Sequence, residues 1–192
     1  MLEDYKKHCK EREEMGIPPL PLDAEQTANL VELLKKDHKE SDFLVNLLKE
    51  RVPAGVDDAA YVKAGFLSDL TKGKTNSPYI SRENAVEILG TMLGGYNIQP
   101  LIDCLAIDGL ADDAADALSN TLLIFDAFND IFELSKNNVH AKRVIESWAN
   151  GEWFTNKSEV PESIKLTVFK VPGEINTDCL LYTSDAADEG LG

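Results

Sequence analysis

Cysteine is scarce in this sequence, which contains only Cys9, Cys104 and Cys179. Cysteines this few and this far apart do not make a disulfide framework, and no two of them have the CxxC spacing of a metal-binding pair. We therefore expect Cys9 and Cys104 to be reduced thiols and expect no metal site in this chain.

Basic residues and long apolar runs are also lacking. The chain has 19 lysines and arginines against 34 aspartates and glutamates, a formal net charge of −15 at pH 7. This charge repels nucleic-acid phosphates and anionic lipid, so both are disfavoured as partners. No stretch approaches the length of a membrane span, and the start at Met1–Lys7 lacks the pattern of a secretory signal. We expect a cytoplasmic protein that does not bind membranes.

Histidine is the third scarce residue, with His8, His38 and His140 each flanked by charged or polar neighbours. Such positions are typical of solvated surface histidines. None of the three stands at a recognisable motif spacing from a serine or cysteine nucleophile, so a catalytic triad has no support. We predict no catalytic residue in this chain.

What the sequence does contain is a series of apolar stripes at helical spacing, in a chain of 192 residues with 43% hydrophobic residues. Asp23, Asp57 and Ser81 precede such stripes as N-caps. The helix after Asp57 has apolar residues on two faces, as inside a helical stack. Further helices are predicted at 2–15, from Ser41, near Pro100, at 110–118, around Leu122–Phe132 and at 139–153.

The short connections between these helices predict an all-α fold of antiparallel helix pairs, a HEAT-like stack with degenerate repeats. The alternating run Ile164–Val171 instead indicates a β-strand, closed by Pro172 and Gly173. Because a single strand is not stable without a sheet, we expect a second domain to begin here.

Two segments are candidates for contact with other domains. Gly94, Gly95, Tyr96 and Asn97 resemble a phosphate-binding loop, but no strand precedes them and no GKS or GKT follows. They are interpreted as a helix–helix turn, with a contact loop as the alternative. Trp148 and Trp153, near the end of the last helix with Phe154, either close the core or anchor a domain junction.

An acidic cluster is the remaining candidate for chemistry. Asp103, Asp108, Asp112, Asp113 and Asp116 offer oxygen atoms of the kind that hard cations prefer. The cluster lacks the EF-hand pattern, and acidic solvent-facing helices are common in a chain of this charge. We interpret it as a solvated surface.

Several segments, in this order and spacing, resemble the aconitase B family from the first residue to about Asp178. They are Arg51–Asp57 (RVPAGVD), Ala59–Leu67 (AAYVKAGFL), Glu87–Met92 (EILGTM), Gly94–Asp103 (GGYNIQPLID), Ala117–Ser119 with Thr121–Leu123, Ser147–Ala149 with Glu152–Phe154, and Leu166–Val171 with Gly173–Glu174 and Asn176–Asp178.

The resemblance implies a parent enzyme that interconverts citrate and isocitrate through cis-aconitate on a [4Fe-4S] cluster, and that also hydrates 2-methyl-cis-aconitate. It implies that residues 1–160 are the HEAT-like amino-terminal domain, and that 161–178 are a linker and the first strand of the swivel domain. Cluster and substrate ligands would lie outside this chain, so we predict that the fragment binds no cofactor and is inactive. The expected role is docking onto the remaining domains, shaping a substrate channel and protein association, including an iron-responsive homodimer. RNA binding, known for the family, is not supported by the charge.

The tail departs from the family. Cys179–Glu189 resembles the translation of a transposase adapter used in sequencing libraries, so we interpret residues 179–192 as an artefact. The alternative to an enzyme fragment is a stand-alone helical-repeat interaction module. The strand at 164–171 favours the fragment, since a free-standing module does not need it.

Overall fold

Helices dominate the computed structural model, which describes residues 2–92, 94–121, 127–156 and 163–168. Within those ranges there is no β-sheet, so the predicted all-α class is confirmed. The helices are α1 Leu2–Glu14, α2 Ala24–Leu34, α3 Ser41–Glu50, α4 Asp58–Thr71, α5 Arg82–Gly90, α6 Ile98–Cys104, α7 Ala111–Ser119, α8 Phe128–Ser135, α9 Val139–Asn150 and α10 Glu152–Thr155.

Three helices begin at the N-caps predicted from the sequence. The Asp23 carboxylate accepts from Gln26 N at 2.7 Å, and the Gln26 side chain accepts in return from Asp23 N at 3.1 Å, completing a capping box. Asp57 accepts from Ala59 N at 2.8 Å, and Ser81 accepts from Asn84 N at 3.1 Å. These bonds satisfy backbone N–H groups that have no partner inside their own helix.

The described residues divide into two compact units. The first holds 20–92, 94–121 and 127–156, and the second holds 2–19 with 163–168. In the second unit, α1 ends at Glu14 and the chain turns at Gly16. The turn is held by Arg12, whose Nε donates to the Pro18 carbonyl at 2.9 Å. Residues 163–168 of the same unit are exposed and have no regular secondary structure.

In the first unit, each helix packs on helices one or two places away along the chain: α2 on α4, α4 on α5, α5 on α7, α7 on α9 and α8 on α9. The core between them is rich in leucine, and α4 is buried on two faces as predicted. Gly90 lets α5 approach α7 closely, because a Cβ there would lie 2.9 Å from Ala117 Cβ. This neighbour-to-neighbour order is compatible with a HEAT-like stack, which stays a prediction.

The structure differs from the sequence-based expectation at the last long helix. We predicted one helix from Val139 to about Trp153, but α9 ends at Asn150. Gly151 has a left-handed conformation with φ of 67°, and its N–H bonds back to the last turn of α9. Such a glycine is a common helix terminator. Trp153 therefore lies on the separate short helix α10.

Several expectations lie wholly or partly outside the described residues. They are the apolar segment Leu122–Phe125, most of the linker and strand at 161–178, and the interpretation of 179–192 as an artefact. The described part of the predicted strand, residues 164–168, pairs with no other described segment, and the strand stays a prediction. Among the described helices, none has the length and apolar character needed to cross a membrane.

Candidate interdomain contact site

The segment Gly94–Asn97 forms the connection between α5 and α6. Gly94 and Gly95 have φ values of 112° and 87°, which L-residues with a side chain rarely adopt. Ile98 N donates to the Gly95 carbonyl at 3.2 Å, which leads the chain into α6. The segment thus has the backbone of a helix–helix turn.

This turn is joined to the loop before α4, forty residues earlier in the chain. Gly55 and Gly95 form a parallel backbone bridge, and Gly55 N donates to the Met92 carbonyl at 3.3 Å. A Cβ on Gly95 would lie 2.6 Å from the Gly55 carbonyl oxygen, closer than real Cβ contacts. Only glycine fits at position 95 without displacing the neighbouring loop.

The bridge supports an exposed apolar surface that we call the tyrosine patch, made of Val56, Tyr61 and Tyr96. The two tyrosine rings meet edge to face, with centroids 5.0 Å apart and planes at 74°. Tyr61 is 64% exposed, Tyr96 37% and Val56 75%. Val56 Cγ1 lies 3.3 Å from the point that a Cβ on Gly95 would occupy, so the valine adjoins the bridge.

Asn97 supports this turn from inside. Its side chain is fully buried, and Nδ2 donates to the Leu89 carbonyl at 2.8 Å, which ties the turn to the end of α5. Its Oδ1 has no partner among the described residues. Asn97 therefore positions the tyrosine patch and contributes no side-chain surface to it.

The two predicted tryptophans lie elsewhere in the unit. Trp148 is half-buried, donates from Nε1 to the Leu118 carbonyl at 3.0 Å and stacks on Phe128 at 6.1 Å. It thus links α9 to α7 and α8. Trp153 contacts Phe154 edge to face and lines a separate cleft of about 320 Å³. The structure does not bring the tryptophans together with Tyr96.

Three of the five aspartates of the acidic cluster form ion pairs between helices. Asp103 on α6 meets Lys72 Nζ at 2.7 Å. Asp112 and Asp116 on α7 both pair with Arg143 on α9, and His140 Nδ1 lies 3.1 Å from Asp112 Oδ1. These three carboxylates connect neighbouring helices, and among the described residues no three His, Cys, Asp or Glu side chains are grouped so as to hold a metal ion.

Sequence reasoning missed a buried lysine. Lys63 is 3% exposed, and it lines a cleft of about 450 Å³ between α3, α4 and α5, here called the Lys63 cleft. Its Nζ lies 3.5 Å from the Lys49 carbonyl, a long hydrogen bond. Burial lowers the pKa of Lys63 to about 8, although the nearby Glu50 carboxylate opposes the shift. The position of Lys63 between two apolar stripes of α4 was the only signal in the sequence.

The described cysteines do not fit an iron–sulfur cluster, which needs several thiolates close together. Cys104 is fully buried in α6, and burial raises the pKa of its thiol, which disfavours the thiolate. Cys9, on α1, is the only other cysteine among the described residues, and two cysteines are fewer than a cluster needs. The described part of the chain thus offers no cluster site.

The fold and the site define an all-α domain with an exposed aromatic patch on a glycine bridge. A family model described as the aconitate B N-terminal domain matches residues 4–154. The chain belongs to this family, as the sequence resemblance predicted.

Named relatives support the same assignment. The chain is 57% identical over 183 residues to aconitate hydratase B of Synechocystis sp., covering 94% of this chain and 21% of the relative. It is 57% identical over 188 residues to aconitate hydratase B of Pseudomonas aeruginosa, covering 97% of the chain and 22% of the relative. Aconitate hydratase B of Helicobacter pylori is 50% identical over 187 residues, with 96% and 22% covered. The chain thus spans about a fifth of the length of these relatives.

Proposed function

We propose that this chain is the amino-terminal domain of an aconitate hydratase and that it docks, through the tyrosine patch, onto the remaining domains of that enzyme. In this proposal the full enzyme interconverts citrate and isocitrate through cis-aconitate on a [4Fe-4S] cluster, and also hydrates 2-methyl-cis-aconitate. The isolated domain has no activity of its own, because the cluster and substrate ligands belong to other domains. The relatives named aconitate hydratase B, about five times longer than the matched region, support this assignment.

The exposed pair Tyr61–Tyr96 is the observation that carries the docking proposal. Aromatic side chains are enriched in protein interfaces, where tyrosine often contributes much of the binding energy. An exposed apolar cluster is unfavourable in water unless a partner covers it. Here the cluster is held on a backbone bridge rather than on a single loop, so its shape is fixed before a partner binds and less entropy is lost on docking.

The chemistry of the patch indicates the kind of partner surface it takes. Val56 and the faces of the tyrosine rings need apolar contact, whereas the two phenol hydroxyls need hydrogen-bond partners. No lysine or arginine belongs to the patch, so a nucleic acid or an anionic lipid headgroup would gain no ion pair there. A protein surface with apolar side chains and a few polar groups suits it best.

The test measures docking directly in the full-length enzyme. A specific protease site is inserted between Asn156 and Ser163, and the affinity of the released domain for the rest of the enzyme is measured after cleavage. We expect Tyr61→Ala and Tyr96→Ala each to weaken binding about tenfold or more, the effect of losing an aromatic interface residue. Hydratase activity before cleavage serves as a check that the catalytic domains are intact.

Phe154→Ala is the matched control, because Phe154 is an exposed aromatic residue outside the tyrosine patch, 68% exposed, on α10. Unchanged affinity in both tyrosine variants would contradict the proposal. If only Phe154→Ala weakened binding, the contact would instead lie at the junction near Trp153.

A further inference from the structure

The tyrosine patch continues along the chain into a second surface, a cleft of about 530 Å³ at the starts of α2 and α4. We call it the acidic cleft. Two prolines, Pro21 and Pro53, form part of its wall, and its charged residues are the four carboxylates Asp23, Glu25, Asp57 and Asp58. Among the described residues of the wall there is no lysine, arginine or histidine. The cleft thus combines an apolar wall with charge of one sign.

These carboxylates are not neutralised by the protein itself. None of the four forms an ion pair within the described part of the chain. Asp23 and Asp57 each use one oxygen to cap a helix, whereas Glu25 and Asp58 are exposed. The two helix N-termini each contribute roughly half a positive charge. Against four carboxylates this leaves a net charge of about −3, so the cleft attracts a cation.

The acidic cleft and the tyrosine patch share the first turns of α4. Val56 of the patch directly precedes Asp57 of the cleft. Asp58 and Tyr61 are both exposed and lie three positions apart on α4, which places them on one face of the helix with Cβ atoms about 5–6 Å apart. A cation beside Asp58 can therefore contact the carboxylate and the Tyr61 ring together, and aromatic rings also attract cations.

Backbone contacts hold both walls of this combined surface. Leu22 N donates to the Arg51 carbonyl at 2.7 Å, which joins the segment before α2 to the loop before α4. The same loop is joined to the patch by the Gly55–Gly95 bridge. The carboxylates and the tyrosines are thus presented by connected loops whose relative position is set before a partner binds.

We propose that an arginine side chain of the remaining enzyme domains is seated between the tyrosine patch and the acidic cleft when this domain docks. Its planar guanidinium stacks on the Tyr61 ring and donates to the Asp58 carboxylate. Arginine suits this position better than lysine, because it combines ring stacking with paired N–H donors. The inference rests on the docking proposed above and adds a specific group on the partner, which fixes the orientation of the docked domain.

The experiment uses the full-length enzyme with the cleavable linker, and it measures the affinity of the released domain for the rest of the enzyme. Asp58→Asn should weaken binding about fivefold or more, and high salt should remove most of this difference. Asp58→Glu should keep most of the affinity. The matched control is Asp42→Asn, because Asp42 is an exposed carboxylate in the first turn of α3. Unchanged affinity in Asp58→Asn, or an equal loss in Asp42→Asn, would overturn the proposal.

A double variant tests whether one group contacts both side chains. If Asp58 and Tyr61 hold the same guanidinium, the combined loss in Asp58→Asn with Tyr61→Ala should be smaller than the product of the two single losses. Losses that simply multiply would contradict a shared arginine. If the tyrosine variants weaken binding and Asp58→Asn does not, the docking proposal stands and the arginine does not. If none of them weakens binding, both proposals fail.

Chemical modification identifies the partner group directly. The separated catalytic part is treated with phenylglyoxal, which reacts with arginine side chains, and the modified peptides are quantified by mass spectrometry. The parent domain should protect one arginine of the catalytic part at least fivefold, and the Asp58→Asn domain, at a concentration that gives the same fraction bound, should protect it less. If the parent domain protects no arginine, the proposal is wrong.

Discussion

Replacing Gly95 by alanine is expected to destabilise the domain through two separate effects. The φ of 87° disfavours any residue with a Cβ, at a cost of about 1–2 kcal/mol. The new Cβ would also lie 2.6 Å from the Gly55 carbonyl oxygen and 2.9 Å from its carbon. Relieving such an overlap against backbone costs about 1–3 kcal/mol more. The free energy of unfolding should fall by about 2–5 kcal/mol in total.

The two effects can be separated with Gly109→Ala. Gly109 has nearly the same φ, 82°, but a Cβ there would meet nothing within 4 Å. Urea unfolding is followed by far-UV circular dichroism and by the fluorescence of Trp148 and Trp153. Gly109→Ala should cost about 1–2 kcal/mol, and Gly95→Ala at least 1 kcal/mol more. For a domain of this size, each kcal/mol corresponds to about 2–4 °C in Tm.

The outcome that refutes this reasoning is a Gly95→Ala variant as stable as Gly109→Ala. The bridge to Gly55 would then be loose enough to move aside, and it would not hold the tyrosine patch in a fixed shape. A Gly95→Ala chain that does not fold under conditions where Gly109→Ala does would agree with the prediction, because the larger loss is assigned to position 95.

Four other substitutions test the remaining features. Gly90→Ala should lower the free energy of unfolding by about 1–3 kcal/mol, because the new Cβ would lie 2.9 Å from Ala117 Cβ. Gly65→Ala on α4, where a Cβ would meet nothing within 4 Å, should raise it by about 0.5–1 kcal/mol. Urea unfolding measures both changes. Trp148→Phe should cost about 1 kcal/mol, because the indole N–H bond to α7 is lost, and the same titration measures it. Lys63→Met should stabilise the chain at pH 7, by up to about 3 kcal/mol. The pKa of Lys63 is about 8 in the folded state and takes the ordinary value of 10.5 in the unfolded state. Between these two pH values the unfolded chain therefore binds more protons at Lys63 than the folded chain does. The stability of the parent should accordingly rise relative to that of the variant from pH 8 to pH 10.5. Unfolding curves of both chains across that range should converge, and a constant difference would contradict the assigned pKa.

The helix starts were predictable because their causes are local. Asp23, Asp57 and Ser81 each precede an apolar stripe, and the bonds that they accept come from residues two or three positions later. The turn at Gly94 and Gly95 was predictable for the same reason. Gly151 shows the limit of this reasoning, since the apolar pattern continued to Trp153 and obscured the terminator.

The site depended on contacts that a linear pattern does not contain. The bridge joins Gly55 to Gly95, and the edge-to-face contact joins Tyr61 to Tyr96; both are set by how α4 packs on α5. Lysine is usually a solvated residue on a helix. The burial of Lys63 follows from the positions of α3 and α5 around it, which its neighbours in sequence do not specify.

The Gly55–Gly95 bridge uses backbone atoms alone, and this has a consequence for divergence and for design. The side chains beside it, Val56 and Tyr96, take no part in the bridge and point outward. Evolution or an engineer is therefore free to exchange them and change which molecule is recognised, while the frame that presents them is inherited unaltered. In these two loops, the residues that hold the backbone frame and the residues that contact a partner are different, adjacent positions in the sequence.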